Sequence, residues 1–148
     1  MSICIVAFIL WLNIEPQGRA LGTPKGSTIE ESRELPLTLK LADEPAEQEH
    51  GLSDRESMAQ DHGMLFAFPT PNITGFWMKD MHFALDIVWL DADKVIVQID
   101  ENVKPETYPE IIFRPQVPVK YVLEINAGVA GELGLYVGQK LNFGRILE

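Results

Sequence analysis

Three residues in the middle of the chain, Trp77, Lys79 and Asp86, combine an aromatic platform, a cation and a carboxylate. Groups of these types often line sites for small polar ligands. Residues 73–79 and 84–90 both have strand-like composition, and the polar residues between them predict a hairpin. In that hairpin Trp77 lies opposite Asp86, and Lys79 lies diagonally across from it. Because directly opposed residues share a face, the sequence predicts that the three side chains stand together.

The other face of the predicted hairpin is apolar and predicts a plain core, formed by Phe76, Met78, Leu85 and Ile87. Asp86 therefore has apolar neighbours along its strand, and a buried carboxylate is costly without a partner. Lys79 is the natural partner. The alternative to a ligand pocket is thus a structural ion pair that fixes the strand register beneath a tryptophan.

A second polar set lies on residues 119–126, where alternation places Glu124 and Asn126 on one face together with Lys120 and Val122. Asn126 precedes a predicted helix at 127–133 and is most simply its N-cap. Glu124 has no such structural role. If it approaches Asp86, the two carboxyl groups form an acid/base pair of the glycosidase kind, and they are the only catalytic candidates.

No motif predicts a cofactor or a metal ion. The three histidines, His50, His62 and His82, lack the i, i+4 spacing of a helical metal site, and no HExxH motif occurs. The glycines at 128, 131 and 134 follow a helix-capping context and do not open a βαβ unit, so they predict no dinucleotide site.

The elements that must position these residues are short strands and at most two brief helices. Four prolines make residues 104–118 an extended loop. We therefore predict a mainly-β (α+β) fold, a compact curled sheet or small barrel of short antiparallel strands with one or two short helices. Besides those named above, the predicted strands are 37–41, 64–68, 95–99 and 140–143, and the second helix lies near 43–51.

The N-terminus carries an apolar run at residues 3–14, shorter than the ~20 residues that span a bilayer. Gly18 and Ala20 supply a small-x-small cleavage pattern. We expect residues 1–20 to be a signal peptide or membrane anchor, 21–36 a linker and 37–144 a single mostly-β domain. This organisation predicts an exported protein, periplasmic or extracellular, that is either released or anchored through residues 3–14.

The charge balance limits the partners. Twelve basic residues against twenty-two acidic ones give a net charge of −10, which repels nucleic-acid phosphates and anionic lipid. We therefore expect no nucleic-acid partner, and membrane contact only through the N-terminal segment. The single cysteine, Cys4, lies in that segment, so the domain can form neither an internal disulfide nor a thiolate zinc site.

The order of several motifs resembles one family. GL-x-x-RES-M at 51–58, DHGMLFAFP at 61–69, FWMKD at 76–80, LDIVWLDAD at 85–93, YVLEINAG at 121–128 and GLYVGQKL at 134–141 follow one another. The chain resembles the domain of unknown function 192 family, a bacterial and archaeal group often found behind export signals. The resemblance implies one mostly-β domain and no established activity. The positions that this sequence shares with the family's motifs are Arg55, Gly63, Trp77, Lys79, Asp86, Glu124 and Asn126. The sequence departs from the family at Ser53-Asp54 and at Asp80.

Three functions are therefore open. The first is an exported, non-catalytic module that binds a small polar ligand or an envelope component. The second is a structural or protein-interaction domain of the cell envelope, and the third is a hydrolase that uses Asp86 and Glu124. The predicted ligand-binding residues are Trp77, Lys79, Asp86, Glu124, Asn126 and Arg55.

Overall fold

A computed structural model describes residues 32–147, so the predicted leader at 1–20 and most of the predicted linker lie outside the described residues. The described part consists mostly of strands with two short helices, which confirms the mainly-β prediction. It contains no helix long and apolar enough to cross a membrane. The strands are β1 (Arg33–Glu34), β2 (Thr38–Ala42), β3 (His62–Asn72), β4 (Leu85–Leu90), β5 (Ile96–Val103), β6 (Val119–Asn126), β7 (Leu141–Asn142) and β8 (Arg145–Leu147). The helices are α1 (Pro45–His50) and α2 (Val129–Glu132), with one 3-10 turn at Pro105–Thr107.

Six strands form one curled, open sheet in the order β5-β4-β6-β3-β2-β8, which does not close into a barrel. The four strands from β5 to β3 pair antiparallel, as expected. β2 instead pairs in parallel with both β3 and β8. The parallel β2–β3 pair needs a crossover connection, which α1 and residues 51–61 provide. The sheet is therefore mixed and not purely antiparallel.

Both faces of the sheet are covered, and strand β4, between β5 and β6, is buried along its whole length. Its even-numbered residues Val88 and Leu90 pack with Leu123 and Ile125 of β6 beneath α2. Its odd-numbered residues lie on the other side in a second cluster, with Phe66 of β3 and Val122 of β6. We call these sides the α2 face and the opposite face. Period-two alternation along β4 and β6 thus assigns each side chain to one of two cores.

Strand β3 continues through Pro69 and Pro71 to Asn72, beyond the predicted end at residue 68. Its regular pairing with β6 breaks after Ala67 and resumes at Asn72. A proline has no N–H to give to a ladder, and it is tolerated here because the ladder is interrupted.

The predicted hairpin between residues 73–79 and 84–90 is wrong. β4 pairs with β5 on one side and β6 on the other, which leaves it no free edge. Residues 73–79 instead follow the surface as a loop, fastened by an antiparallel bridge between Phe76 and Phe113. The backbone N–H of each donates to the carbonyl of the other, at N···O distances of 2.9 and 2.8 Å.

The core expected from that hairpin nevertheless forms on the opposite face, where Phe76, Met78, Leu85 and Ile87 belong to one cluster. Phe76 packs edge-on against Trp89, with 5.4 Å between ring centroids. Phe76 and Met78 thus reach the predicted core from a loop that packs against the sheet, and not from a strand paired with β4.

Candidate functional site

A cavity of about 370 Å³ opens on the opposite face of the sheet. α1 and the turn after it form one side, the end of β3 and the loop at 74–77 form the other, and Glu124 of β6 lies among the lining residues. A volume of this size is at the small end of the range for small-molecule sites. Its lining consists of Gln48, Glu49, His50, Gly51, Leu52, Ser53, Phe66, Phe68, Thr74, Gly75, Phe76, Trp77, Met81 and Glu124.

Four aromatic side chains line the cavity. Phe66 is buried and meets Phe76 edge-to-face, with 4.9 Å between ring centroids. Phe68 is half-buried, and Trp77 is 47% exposed. Gly51 ends α1 at a φ of +55°, a conformation that favours glycine, and a Cβ there would lie 3.5 Å from the Phe66 ring. The turn after α1 therefore passes close over the aromatic wall.

Glu124 is the one strongly buried ionisable group of the cavity. Its side chain is on the opposite face of β6, level with Met64 of β3 and Ile87 of β4, and the residue is only 6% exposed. This placement confirms the face predicted from alternation. Desolvation raises the pKa of its carboxyl from 4.5 to about 8. A carboxyl with such a pKa inside a cavity is typical of functional sites.

The Glu124 carboxyl has no hydrogen-bond or ion-pair partner among residues 32–147. Every fully enclosed side-chain nitrogen or oxygen atom in the same residues does have a hydrogen-bond partner. The oxygens of Glu124 are therefore not sealed in protein but open into the cavity. A buried polar group without a protein partner is costly, so this arrangement suits a carboxyl that meets a ligand.

Asp86 has a different role from the one we expected. It is fully buried on the α2 face, and its Oδ1 accepts the N–H of Asn102 at 2.9 Å. Its Oδ2 accepts the N–H groups of Gly128 and Ala130 at the start of α2, at 2.9 and 3.0 Å. These three bonds satisfy the carboxylate and cap the short helix from outside. The predicted ion pair with Lys79 is wrong, since Lys79 is half exposed and its Nζ lies 4.0 Å from Asp80.

The predicted carboxylate pair is also wrong. Asp86 pairs with Ile125 and Glu124 pairs with Ile87, so the two acids occupy adjacent positions of opposite parity in one ladder. Their side chains therefore leave the sheet on opposite faces. No substrate can lie between them.

Asn126 does not cap α2, whose N-cap is Gly128 in a left-handed conformation. The Asn126 amide instead donates to the carbonyl oxygens of Met58 and Ala59, at 2.9 and 3.1 Å. It thus fastens the long connection between α1 and β3, whose first residues line the cavity. Arg55 lies in the same connection but is not among the lining residues.

The structure thus brings together two of the six predicted ligand-binding residues, Trp77 and Glu124, in one cavity. The other four, Lys79, Asp86, Asn126 and Arg55, lie outside its lining. Sequence reasoning missed Phe66 and Phe68, because an apolar run in a strand looks like ordinary core. It also missed the turn after α1. The only available signal there was the GL-x-x-RES-M motif.

The fold and the site together define a mainly-β, curled-sheet domain with an aromatic-walled cavity whose lining includes the buried carboxyl of Glu124. The domain of unknown function 192 family, described as "Uncharacterized ACR", matches residues 27–143. The chain belongs to this family, which confirms the resemblance seen in the motifs. The comparison with curated proteins gave no significant match.

Two solved structures are similar to the chain. A Sinorhizobium meliloti 1021 protein described as a "putative transcription regulator" is 40% identical, with a TM-score of 0.66, over 70% of this chain and 79% of that one. A protein of unknown function from Novosphingobium aromaticivorans DSM 12444 is 34% identical, also with a TM-score of 0.66, over 71% and 74% of the two chains. The curled sheet is therefore shared with these relatives.

Proposed function

We propose that this protein is a non-catalytic module that binds a small ligand in the cavity between α1, the end of β3 and the loop at 74–77. The observation that carries the proposal is Glu124, a residue that is 6% exposed and whose carboxyl lacks a protein partner among residues 32–147 and opens into an aromatic-walled space. Aromatic walls bury the apolar part of a ligand, and a few placed polar groups orient it.

The polar groups of the cavity favour binding over catalysis. Ser53 is the only serine that residues 32–147 contribute to the lining and thus the candidate nucleophile, but its hydroxyl donates to the carbonyl oxygen of Lys79 at 3.0 Å. Within the described residues no side-chain hydrogen bond joins it to a histidine, so it lacks the base that activates a serine. Two other carboxyl groups lie near this face, and neither is hydrogen-bonded to Glu124 within the described residues: Glu49 is part of the lining, and Asp100, which pairs with Ile87, accepts the indole N–H of Trp89 at 2.7 Å. The description of the S. meliloti relative as a regulator does not extend to this chain as DNA binding, because a net charge of −10 opposes it.

A thermal-shift screen of the full chain tests the proposal, because a ligand that binds only the folded state raises Tm. The panel contains organic cations, neutral sugars and alcohols, carboxylates and divalent metal ions. We expect at least one class to raise Tm in the wild type, and the shift to disappear in Trp77→Ala and Glu124→Gln.

Lys79→Ala is the matched control, since Lys79 follows Trp77 closely but lies outside the cavity lining. It should keep the full shift. No shift with any class, or an equal shift in all three variants, would overturn the proposal in favour of a structural or protein-interaction domain.

A further inference from the structure

We propose that the ligand is a small organic cation, an ammonium or guanidinium group on an apolar body, whose charge pairs with the Glu124 carboxylate inside the aromatic cavity. This inference rests on the proposed function and names the chemical class of the ligand. Three independent features of the cavity support it: the sign of its charges, the nature of its walls and the depth of its carboxyl.

The charges of the cavity select against anions. Its lining contains two acids, Glu49 and Glu124, one histidine, His50, and neither lysine nor arginine. Arg55 and Lys79 each lie two residues from a lining residue but outside the lining, and the ammonium of Lys79 lies 4.0 Å from Asp80. An anionic ligand would therefore meet two carboxyl groups without a fixed cation to hold it. The net charge of −10 adds a long-range field that attracts cations.

The walls suit a cation as well. Phe66, Phe68, Phe76 and Trp77 all border the same space. The faces of aromatic rings carry partial negative charge and attract ammonium and guanidinium groups, with tryptophan the strongest. A cation that leaves water for this cavity therefore keeps favourable electrostatic contacts on the walls as well as at the carboxyl.

The position of Glu124 sets the geometry of binding. It lies at a central sheet position between Met64 and Ile87 and is 6% exposed, whereas Trp77 of the same lining is 47% exposed. A ligand whose charged group contacts Glu124 has the rest of its body within a lining that includes Phe66, Phe68 and Phe76. This arrangement favours a cation at one end of an apolar molecule over a hydrated metal ion, which would need several oxygen ligands.

Cation binding must be coupled to proton release. Burial raises the pKa of Glu124 to about 8, so at pH 7 the empty cavity holds mostly the neutral acid. A bound cation stabilises the carboxylate and expels the proton. Affinity should therefore rise with pH up to about 8 and then level off. The other titratable groups of the cavity are Glu49 and His50, and the sheet positions that flank Glu124 are occupied by the non-titrating Met64 and Ile87.

Isothermal titration of the full chain with a matched series tests the inference: benzylammonium, benzyl alcohol and benzoate share one ring and differ in charge. A second pair, butylguanidinium and butylurea, repeats the comparison. We expect each cation to bind at least about tenfold more tightly than its neutral partner at pH 8. Titrations in buffers of different ionisation enthalpy should show proton release at pH 7.

Glu124→Gln is the decisive variant, because it keeps the shape and removes the charge. It should reduce cation affinity to that of benzyl alcohol, abolish proton release and leave the binding of the alcohol unchanged. Glu132→Gln, at an exposed position of α2 outside the cavity lining, controls for the loss of one negative charge and should preserve both the preference and the proton release.

Equal affinity for cation and alcohol, tighter binding of benzoate, or full cation binding by Glu124→Gln would overturn the inference. So would the absence of binding by either cation. Each of these results leaves the proposed function standing if another class of ligand still depends on Trp77, so the two failures are distinguishable.

Discussion

Asp86 and Glu124 lie on neighbouring hydrogen-bonded strands, and their side chains leave the sheet on opposite faces. Asp86 pairs with Ile125, the residue next to Glu124. This difference of one ladder position separates two carboxyl groups of similar chemistry into different roles. One is fully satisfied by backbone N–H groups and supports α2, while the other is unpartnered within residues 32–147 and opens into a cavity.

Asp86→Asn should destabilise the fold by about 2–4 kcal/mol in urea unfolding. An amide cannot accept at both of its ends, so at least one of the N–H groups of Asn102, Gly128 and Ala130 loses its acceptor in a buried place. Asp91→Asn is the matched control. Asp91 Oδ1 accepts two N–H groups at 2.8 and 2.9 Å in a turn partly open to solvent, where water can replace the contact. Its cost should stay near 0.5 kcal/mol, and equal losses in the two variants would contradict the structural role of Asp86.

Glu124→Gln should change how stability depends on pH. The pKa of Glu124 in the folded protein, about 8, lies above its ordinary value of 4.5, so the folded state holds the proton more tightly than the unfolded chain. The resulting stabilisation is fully present below about pH 4.5 and is lost as the pH rises through about 8. Relative to the variant, the wild type should lose roughly 3–5 kcal/mol of unfolding free energy across this window.

Chemical denaturation at pH 5, 6, 7 and 8, chosen to lie within this window, would measure that difference. Glu49→Gln is the control and should follow the wild-type curve. A wild-type curve parallel to that of Glu124→Gln would show that Glu124 does not titrate within this range.

Gly63→Ala should weaken the sheet beside the cavity. A Cβ at Gly63 would lie 2.9 Å from the carbonyl oxygen of Glu124 and 2.9 Å from Ile125 Cγ2, closer than real contacts allow. The strands would have to separate, at a cost of about 1–3 kcal/mol in thermal or urea unfolding. Gly131→Ala in α2 has nothing within 4 Å of the added methyl group and should be neutral or slightly stabilising. Equal losses of unfolding free energy in Gly63→Ala and Gly131→Ala would contradict the close packing at Gly63.

Asn126→Ala should loosen the connection between α1 and β3. The variant removes the two donors that hold the carbonyl oxygens of Met58 and Ala59. We expect amide hydrogen exchange to accelerate in residues 52–62, by roughly tenfold or more if the anchor contributes about 1–3 kcal/mol. Because Leu52 and Ser53 line the cavity, ligand affinity should fall as well.

Asn142→Ala, a substitution at an exposed position of β7, serves as the control and should leave exchange in residues 52–62 unchanged. Unchanged exchange in Asn126→Ala would show that the connection is held by other contacts.

Local periodicity was sufficient to predict much of this fold. Strand β6 begins at Val119 as predicted, and the faces of Glu124 and Leu123 follow from alternation alone. The turn at 91–94 lies between the predicted strands 84–90 and 95–99, and Asp91 holds it through side-chain bonds. These features depend on residues that are close in the sequence, so the residue types alone are enough to predict them.

Pairing between distant segments could not be predicted in the same way. Residues 73–79 have strand-like composition, yet both edges of β4 are occupied by β5 and β6, which come later in the chain. The partner of Asp86 was missed for a related reason. The backbone N–H groups of residues 102, 128 and 130 donate to the Asp86 carboxylate. Residue types do not reveal such donors, because almost every residue has a backbone N–H. The cavity likewise depends on how α1 packs against β3, which is a tertiary property.

The bridge between Phe76 and Phe113 couples one wall of the cavity to the proline-rich loop at 104–118. Gly75, in the same wall, lies so close to this loop that a Cβ would come within 2.7 Å of Ile112 Cγ2. The width of the cavity is therefore set partly by residues that never touch its contents. Substitutions in the proline-rich loop would therefore change the width of the cavity while Trp77 and Glu124 stay the same.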